Sequence, residues 1–127
     1  MPTNEQEEMA AYLSELVQKT KTEKIIWSKL NPSTYVFARK IENEIAKVFI
    51  QKVERKQWVQ VDKTRPPQIE STVDYVFYIL GPSGPEIISL KTAETPFYTQ
   101  MLSELFGAIE ESFSRKGLNL LQKILKE

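Results

Sequence analysis

The chain has 127 residues, seventeen basic and seventeen acidic, 41% hydrophobic and 27% charged, with neither histidine nor cysteine. That is the size and balance of one globular domain with its own core. It excludes thiol chemistry and metal coordination by imidazole or thiolate, and it leaves no whole-molecule field to draw nucleic acid or an anionic membrane from a distance.

Thr3 and Gln6 form a capping-box pattern, and Met9, Leu13, Leu16, Val17 and Thr20 recur at helical spacing towards Lys19 and Lys21, predicting an amphipathic helix over 4–21. The period then changes. Ile25-Ile26-Trp27 is short, β-branched and aromatic, and reads as a first strand closed by a turn at Asn31-Pro32. Proline at the middle of Asn31-Pro32-Ser33 excludes it as a glycosylation acceptor.

Residues 33–39 favour extended chain, Asn43 offers a turn, and 45–53 place Ala46, Val48 and Ile50 on one face and Ile45, Phe49 and Val53 on the other. Trp58-Val59-Gln60-Val61 either continues this strand past a bulge or forms a separate one. Thr64-Arg65-Pro66-Pro67 marks 62–72 as an exposed loop. Val73 to Leu80 is the strongest strand, turned by Gly81-Pro82-Ser83-Gly84-Pro85 into an antiparallel partner at 86–90.

Thr95-Pro96 reads as a helix start with a capping threonine and proline at the first helical position. Tyr98, Met101, Leu102, Leu105, Ile109 and Phe113 then recur every three or four residues until Gly117. Beyond that stop, Leu118, Leu121, Ile124 and Leu125 predict a second, short amphipathic helix. The expected fold is a single α+β domain over 1–127: an N-terminal helix, an antiparallel sheet of four to six strands, and one or two C-terminal helices packed on one face of the sheet.

Catalytic equipment is sparse. Only two aspartates occur, Asp62 and Asp74, and no D-x-D-x-D-G loop is present for a hard cation. No serine is followed three residues later by lysine, and Ser83 sits in a proline-flanked turn rather than a phosphate loop or nucleophile elbow. Glu94, Glu104, Glu110 and Glu111 form the densest carboxylate group, spaced as a solvated helix face would be. No enzyme activity, metal or cofactor is expected.

The basic segment offers more. Lys47, Lys52, Arg55, Lys56, Lys63 and Arg65 fall within 19 residues, against Glu54 and Asp62, with Trp58 among them. Cations beside an exposed aromatic are what single-stranded nucleic acid uses, through phosphate neutralisation and base stacking. A charged hairpin end with Trp58 packed across the sheet accounts for the same pattern. The candidate partner or nucleic-acid surface is therefore Lys52, Arg55, Lys56, Trp58, Lys63 and Arg65.

A third group is aromatic: Tyr35, Phe37, Phe49, Trp58, Tyr75, Phe77 and Tyr78. Tyr75 and Phe77 share one strand face while Val76 and Tyr78 share the other, so both sheet faces carry large side chains. If helices cover one face only, the remainder suits a protein partner or a homodimer.

The order Leu16-x-x-x-Thr20, Ile25-x-Trp27, a β-meander and a tail with Leu118 and Leu121 resembles a loosely defined group of small uncharacterised bacterial and phage-encoded proteins. What the resemblance implies is an accessory protein without a catalytic signature; the proline-bearing stretch 62–72 is longer than the turns of that group. A weaker similarity is to secretion-chaperone-like α+β domains, which bind an unfolded partner segment on the sheet, although their middle helix has no counterpart here. The expectation is a non-enzymatic interaction module that binds a protein partner or itself through a sheet face or edge, with nucleic-acid binding as the alternative. The longest apolar run, Tyr75 to Leu80, is far short of the roughly 20 residues that cross a bilayer. The acidic start at Glu5, Glu7 and Glu8 has no secretory pattern, so no membrane association and a cytoplasmic location are expected.

Overall fold

A computed structural model describing residues 3–81 and 86–127 shows a five-stranded antiparallel meander, preceded by one long helix and followed by another. This is the expected α+β class. Helix α1 (Asn4–Lys21) starts at its capping box: Thr3 Oγ1 accepts from the Gln6 amide at 3.2 Å and Gln6 Oε1 accepts from the Thr3 amide at 3.0 Å. Its buried stripe is Leu13, Val17 and Thr20.

The strands are β1 (Ser28–Asn31), β2 (Thr34–Ile41), β3 (Glu44–Val59), β4 (Gln68–Leu80) and β5 (Glu86–Lys91). Ile25 to Trp27 lie just outside β1, a correction to the expected first strand. The chain leaves α1 through Glu23 at φ 60° and sends Ile25 and Trp27 into the core before it can pair. Trp27 Nε1 donates to Thr20 Oγ1 at 3.0 Å, and Thr20 Oγ1 donates to the Leu16 carbonyl at 2.8 Å, so the buried indole N–H is satisfied inside the core.

Glu42 and Asn43 both have positive φ, 50° and 69°, the conformation of a two-residue hairpin turn between β2 and β3. Trp58 and Val59 belong to β3, which runs 16 residues and stays in register with β4 from Lys47↔Leu80 to Val59↔Gln68. The expected loop over 62–72 is consequently too long: its last residues are strand, because after Pro66-Pro67 the chain resumes alternation and pairs with Arg55 to Val59. Pro82 to Pro85 of the expected hairpin turn lie outside the described residues; β5 pairs antiparallel with β4 as expected.

Thr95 makes no side-chain cap, and Pro96–Tyr98 form a 3-10 turn that leads into α2 (Thr99–Lys126). Gly117 does not end the helix. The expected break and second short helix are replaced by one continuous helix of 28 residues. Glycine lowers helix stability by about 1 kcal/mol against alanine without forbidding the conformation.

Both helices lie on the sheet face that carries Tyr35, Ile50, Tyr75 and Phe77. Leu102, Leu105 and Ile109 of α2 are fully buried with Leu13 of α1. Phe106 of α2 sits between strands, its ring 5.2 Å from Tyr35 and 5.7 Å from Tyr75. Full burial of each of these side chains contributes roughly 1.5–3 kcal/mol.

Thr20→Val removes the acceptor of a buried indole N–H; equilibrium urea unfolding should show a loss of about 2 kcal/mol, while Thr20→Ser should retain most of the stability. Burial raises the Tyr35 and Tyr98 phenols above their ordinary value, helped by the charges of Glu110 and Glu5 respectively. The folded state therefore favours the neutral phenols. Their contribution is complete below the unfolded value of about 10 and is lost as pH rises through the higher folded values. Unfolding followed from about pH 9 to pH 11 should show this fall, and Tyr35→Phe should flatten it.

Candidate functional site

Strand alternation divides the basic segment. Lys52, Lys56 and Trp58 share the helix-side face of β3, opposite Tyr75, Ser71 and Ile69 of β4, whereas Arg55 stands on the other face. Arg55 Nε lies 2.6 Å from Asp74 Oδ2, an ion pair whose N–H is not aimed along that line; the buried Oδ2 has no well-formed hydrogen bond. Asp74 Oδ1 accepts a long bond, 3.5 Å, from Thr92.

Lys63 and Arg65 lie in the loop over 60–67, and Arg65 Nε is 3.5 Å from Asp62 Oδ2. Asp62 Oδ1 accepts from the Thr64 hydroxyl and amide at 2.6 and 2.8 Å, bonds that hold its carboxyl below the usual range. Lys52 Nζ sits 5.8 Å from the Phe106 ring centroid. The six residues thus do not converge on one surface.

Beyond Val53 the pairing of β3 with β2 has ended, and before Tyr75 that of β4 with β5 has not begun, so 53–59 and 68–74 form a projecting two-stranded ribbon. Trp58 near its tip is 70% exposed beside Ile69, and does not pack across the sheet.

A different feature gathers apolar side chains into a concave strip. On the helix side, Phe37, Val48, Ile79 and Ile88 continue the sheet away from Phe106 and α2, and α1 borders them with Met9, Tyr12 and Leu16. This groove holds about 300 Å³, and among the described residues the Tyr12 hydroxyl is the only oxygen- or nitrogen-bearing side-chain group on its lining. The same floor of Phe37, Val48 and Ile79 extends into a second hollow of about 360 Å³, bounded by Ile25, Ile41 and Ala46.

The rim is charged and polarised. Tyr12 donates its hydroxyl to Glu8 Oε1 at 3.0 Å, and this bond, with the charges of Glu8 and Glu15, raises the Tyr12 phenol. Glu15 pairs with Lys19 at 3.5 Å. At the far end of the hollow the rim turns basic, with Lys19, Lys24 and Arg39.

The opposite sheet face is mixed in character. Phe49 and Tyr78 stack there with centroids 4.6 Å apart, but Lys47, Gln51 and Lys91 interrupt the apolar surface. On α2, Glu104 accepts from Gln100 and Glu111 pairs with Arg115. Among the described residues no three acidic side chains come together as a metal site would require, and no helix is long and apolar enough to cross a membrane. Ser83 lies outside the described residues.

Sequence patterning missed the groove because Met9, Leu16, Phe37, Val48 and Ile79 read as ordinary core positions. Each recurs on the apolar face of its own helix or strand, so nothing in the pattern separates it from core. Compared with protein-family models, curated proteins and solved structures, the chain matches none.

Because the ribbon stands outside the core, Trp58→Ser and Lys56→Ala should each change unfolding stability by less than about 0.5 kcal/mol. Arg55→Ala should remove about 1 kcal/mol, since it leaves the partly buried Asp74 carboxylate without its cation.

Proposed function

We propose that this chain is a non-enzymatic interaction module that takes an amphipathic helical segment into the groove between α1 and the sheet. The observation that supports it is the apolar concavity on the helix side, floored by Phe37, Val48 and Ile79 and left open by the described residues. Helix-in-groove binding needs an apolar cleft and a few anchors spaced three, four and seven residues apart. It needs no histidine or cysteine. A partner helix would bury its apolar stripe on the sheet while Glu8 and Glu15 select cationic flanks along α1.

Strand addition at the β1 edge fits less well, since β1 is four residues long and bulged between Lys29 and Asn31. Nucleic-acid binding is disfavoured by the separation of Arg55 from Lys52, Lys56 and Trp58, and by Glu54 standing between the lysines.

A fluorescent amphipathic peptide of leucine and lysine, about four helical turns long, should bind the chain and keep binding at high salt. Tyr12→Ala with Ile41→Lys, both at exposed groove positions, should weaken that binding at least about tenfold while unfolding stability stays within about 0.5 kcal/mol. Peptide binding unaffected by the double substitution, or a single-stranded oligonucleotide that binds instead with steep salt dependence, would contradict the reading.

A further inference from the structure

The same sequence carries an exposed amphipathic helical segment. After Phe113, whose ring is 5.2 Å from Tyr35, every residue of α2 from Ser114 to Lys126 is exposed. These thirteen residues extend the helix by about 20 Å beyond its last packed position. They carry Leu118, Leu121, Ile124 and Leu125, each at least half exposed, on one arc of the helix. Arg115, Lys116, Lys123 and Lys126 fall on the opposite arc by the 3.6-residue period. The helix, nucleated where it docks on the sheet, continues with this apolar stripe left in water.

We propose that the stripe is covered by the α1-side groove of a second copy, each copy placing its α2 tail in the other's groove. The proposal rests on the groove reading above and names its occupant. Two complementarities select a second copy. The tail's aliphatic stripe matches a lining of Met9, Leu16, Val48, Ile79 and Ile88. Its cations Lys116, Lys123 and Lys126, beside an Arg115 already held by Glu111, match a rim where Glu8 stands beside Tyr12 and where Glu15 is shared with Lys19.

The basic end of the floor, at Lys19, Lys24 and Arg39, repels the same tail and so confines it to the stretch along Met9 to Leu16. The tail does not occupy its own groove, because it continues a helix already docked through Phe106 and Phe113. Reciprocal exchange creates two equal contacts and closes at a dimer, with no free tail or groove left to propagate a filament.

Sedimentation equilibrium on the full chain, from about 1 to 100 µM, tests this. The expected result is a dimer for the wild type and a monomer for Leu121→Glu with Leu125→Glu. Glu8→Lys with Glu15→Lys, or Lys123→Glu with Lys126→Glu, should each weaken self-association at least about tenfold. Mixed in equal amounts, the two charge-reversed proteins should form a heterodimer, since each groove then meets a tail of opposite charge.

A wild type that stays monomeric over the range overturns the proposal. So does a dimer indifferent to the tail and rim substitutions. A monomeric chain whose tail instead binds vesicles of phosphatidylserine and phosphatidylcholine also overturns it, and assigns the tail to an anionic lipid surface. In each of these cases the leucine–lysine peptide is titrated into the Leu121→Glu, Leu125→Glu chain. Binding there leaves the groove reading standing, and its absence removes both.

Discussion

The placement of Phe106 between Tyr35 and Tyr75 is the constraint on which the rest of the structure depends. One ring on α2 ties β2 to β4 across β3, with Ile50 fully buried at the same level and Lys52 over the ring. This anchors α2 at the end of the sheet from which the ribbon projects. The opposite end, where Phe37, Val48, Ile79 and Ile88 face the same side, is bordered by the flank of α1 and by Ile25 and Trp27. The groove is thus a consequence of where the aromatic cluster holds the second helix. The same docking sends the remainder of α2 past Phe113 into solvent.

The chain closes its first corner with a polar contact. Trp27, with Ile25, fills the space between α1 and β2, and its ring meets Phe37 edge-on at 4.5 Å. A buried indole N–H left unpaired would cost 1–3 kcal/mol or so. Thr20 is the residue that prevents it, accepting from Trp27 and donating to Leu16 at once. A helical threonine that looks like an indifferent part of an apolar stripe therefore fixes the path from α1 into the sheet, and with it one wall of the hollow beside Phe37.

Much of the architecture was legible in the sequence because its signals are local. The capping box at Thr3 and Gln6, the positive-φ turn at Asn43, and the run from Val73 to Leu80 each depend on neighbouring residues. Errors arose where tertiary pairing decides. Ile69 to Thr72 follow two prolines and look like loop, yet a 16-residue β3 supplies them with a partner. Gly117 looks like a helix stop, but nothing after it offers a better place for the leucines than continuation of α2. The six basic-segment residues were legible as a charge cluster. Their division between two faces became visible only with the register, which pairs Arg55 with Thr72 and so sets it diagonally across from Asp74. The groove was not legible at all, because whether Val48 or Ile79 is covered depends on where two helices come to rest.

Without histidine or cysteine, the chain still presents apolar surface bordered by charge. Exposed apolar side chains lie in the groove, at the helical end, on the ribbon at Trp58 and Ile69, and singly at Ile26, Leu30, Ile45 and Ile87. The most direct test is methyl NMR on the full chain carrying Leu121→Glu and Leu125→Glu, titrated with the leucine–lysine helical peptide. The account requires shifts at the methyl groups of Met9, Leu16, Val48, Ile79 and Ile88, with Val61 and Ile69 on the ribbon side unchanged. Shifts confined to the ribbon, or none at saturating peptide, would contradict it.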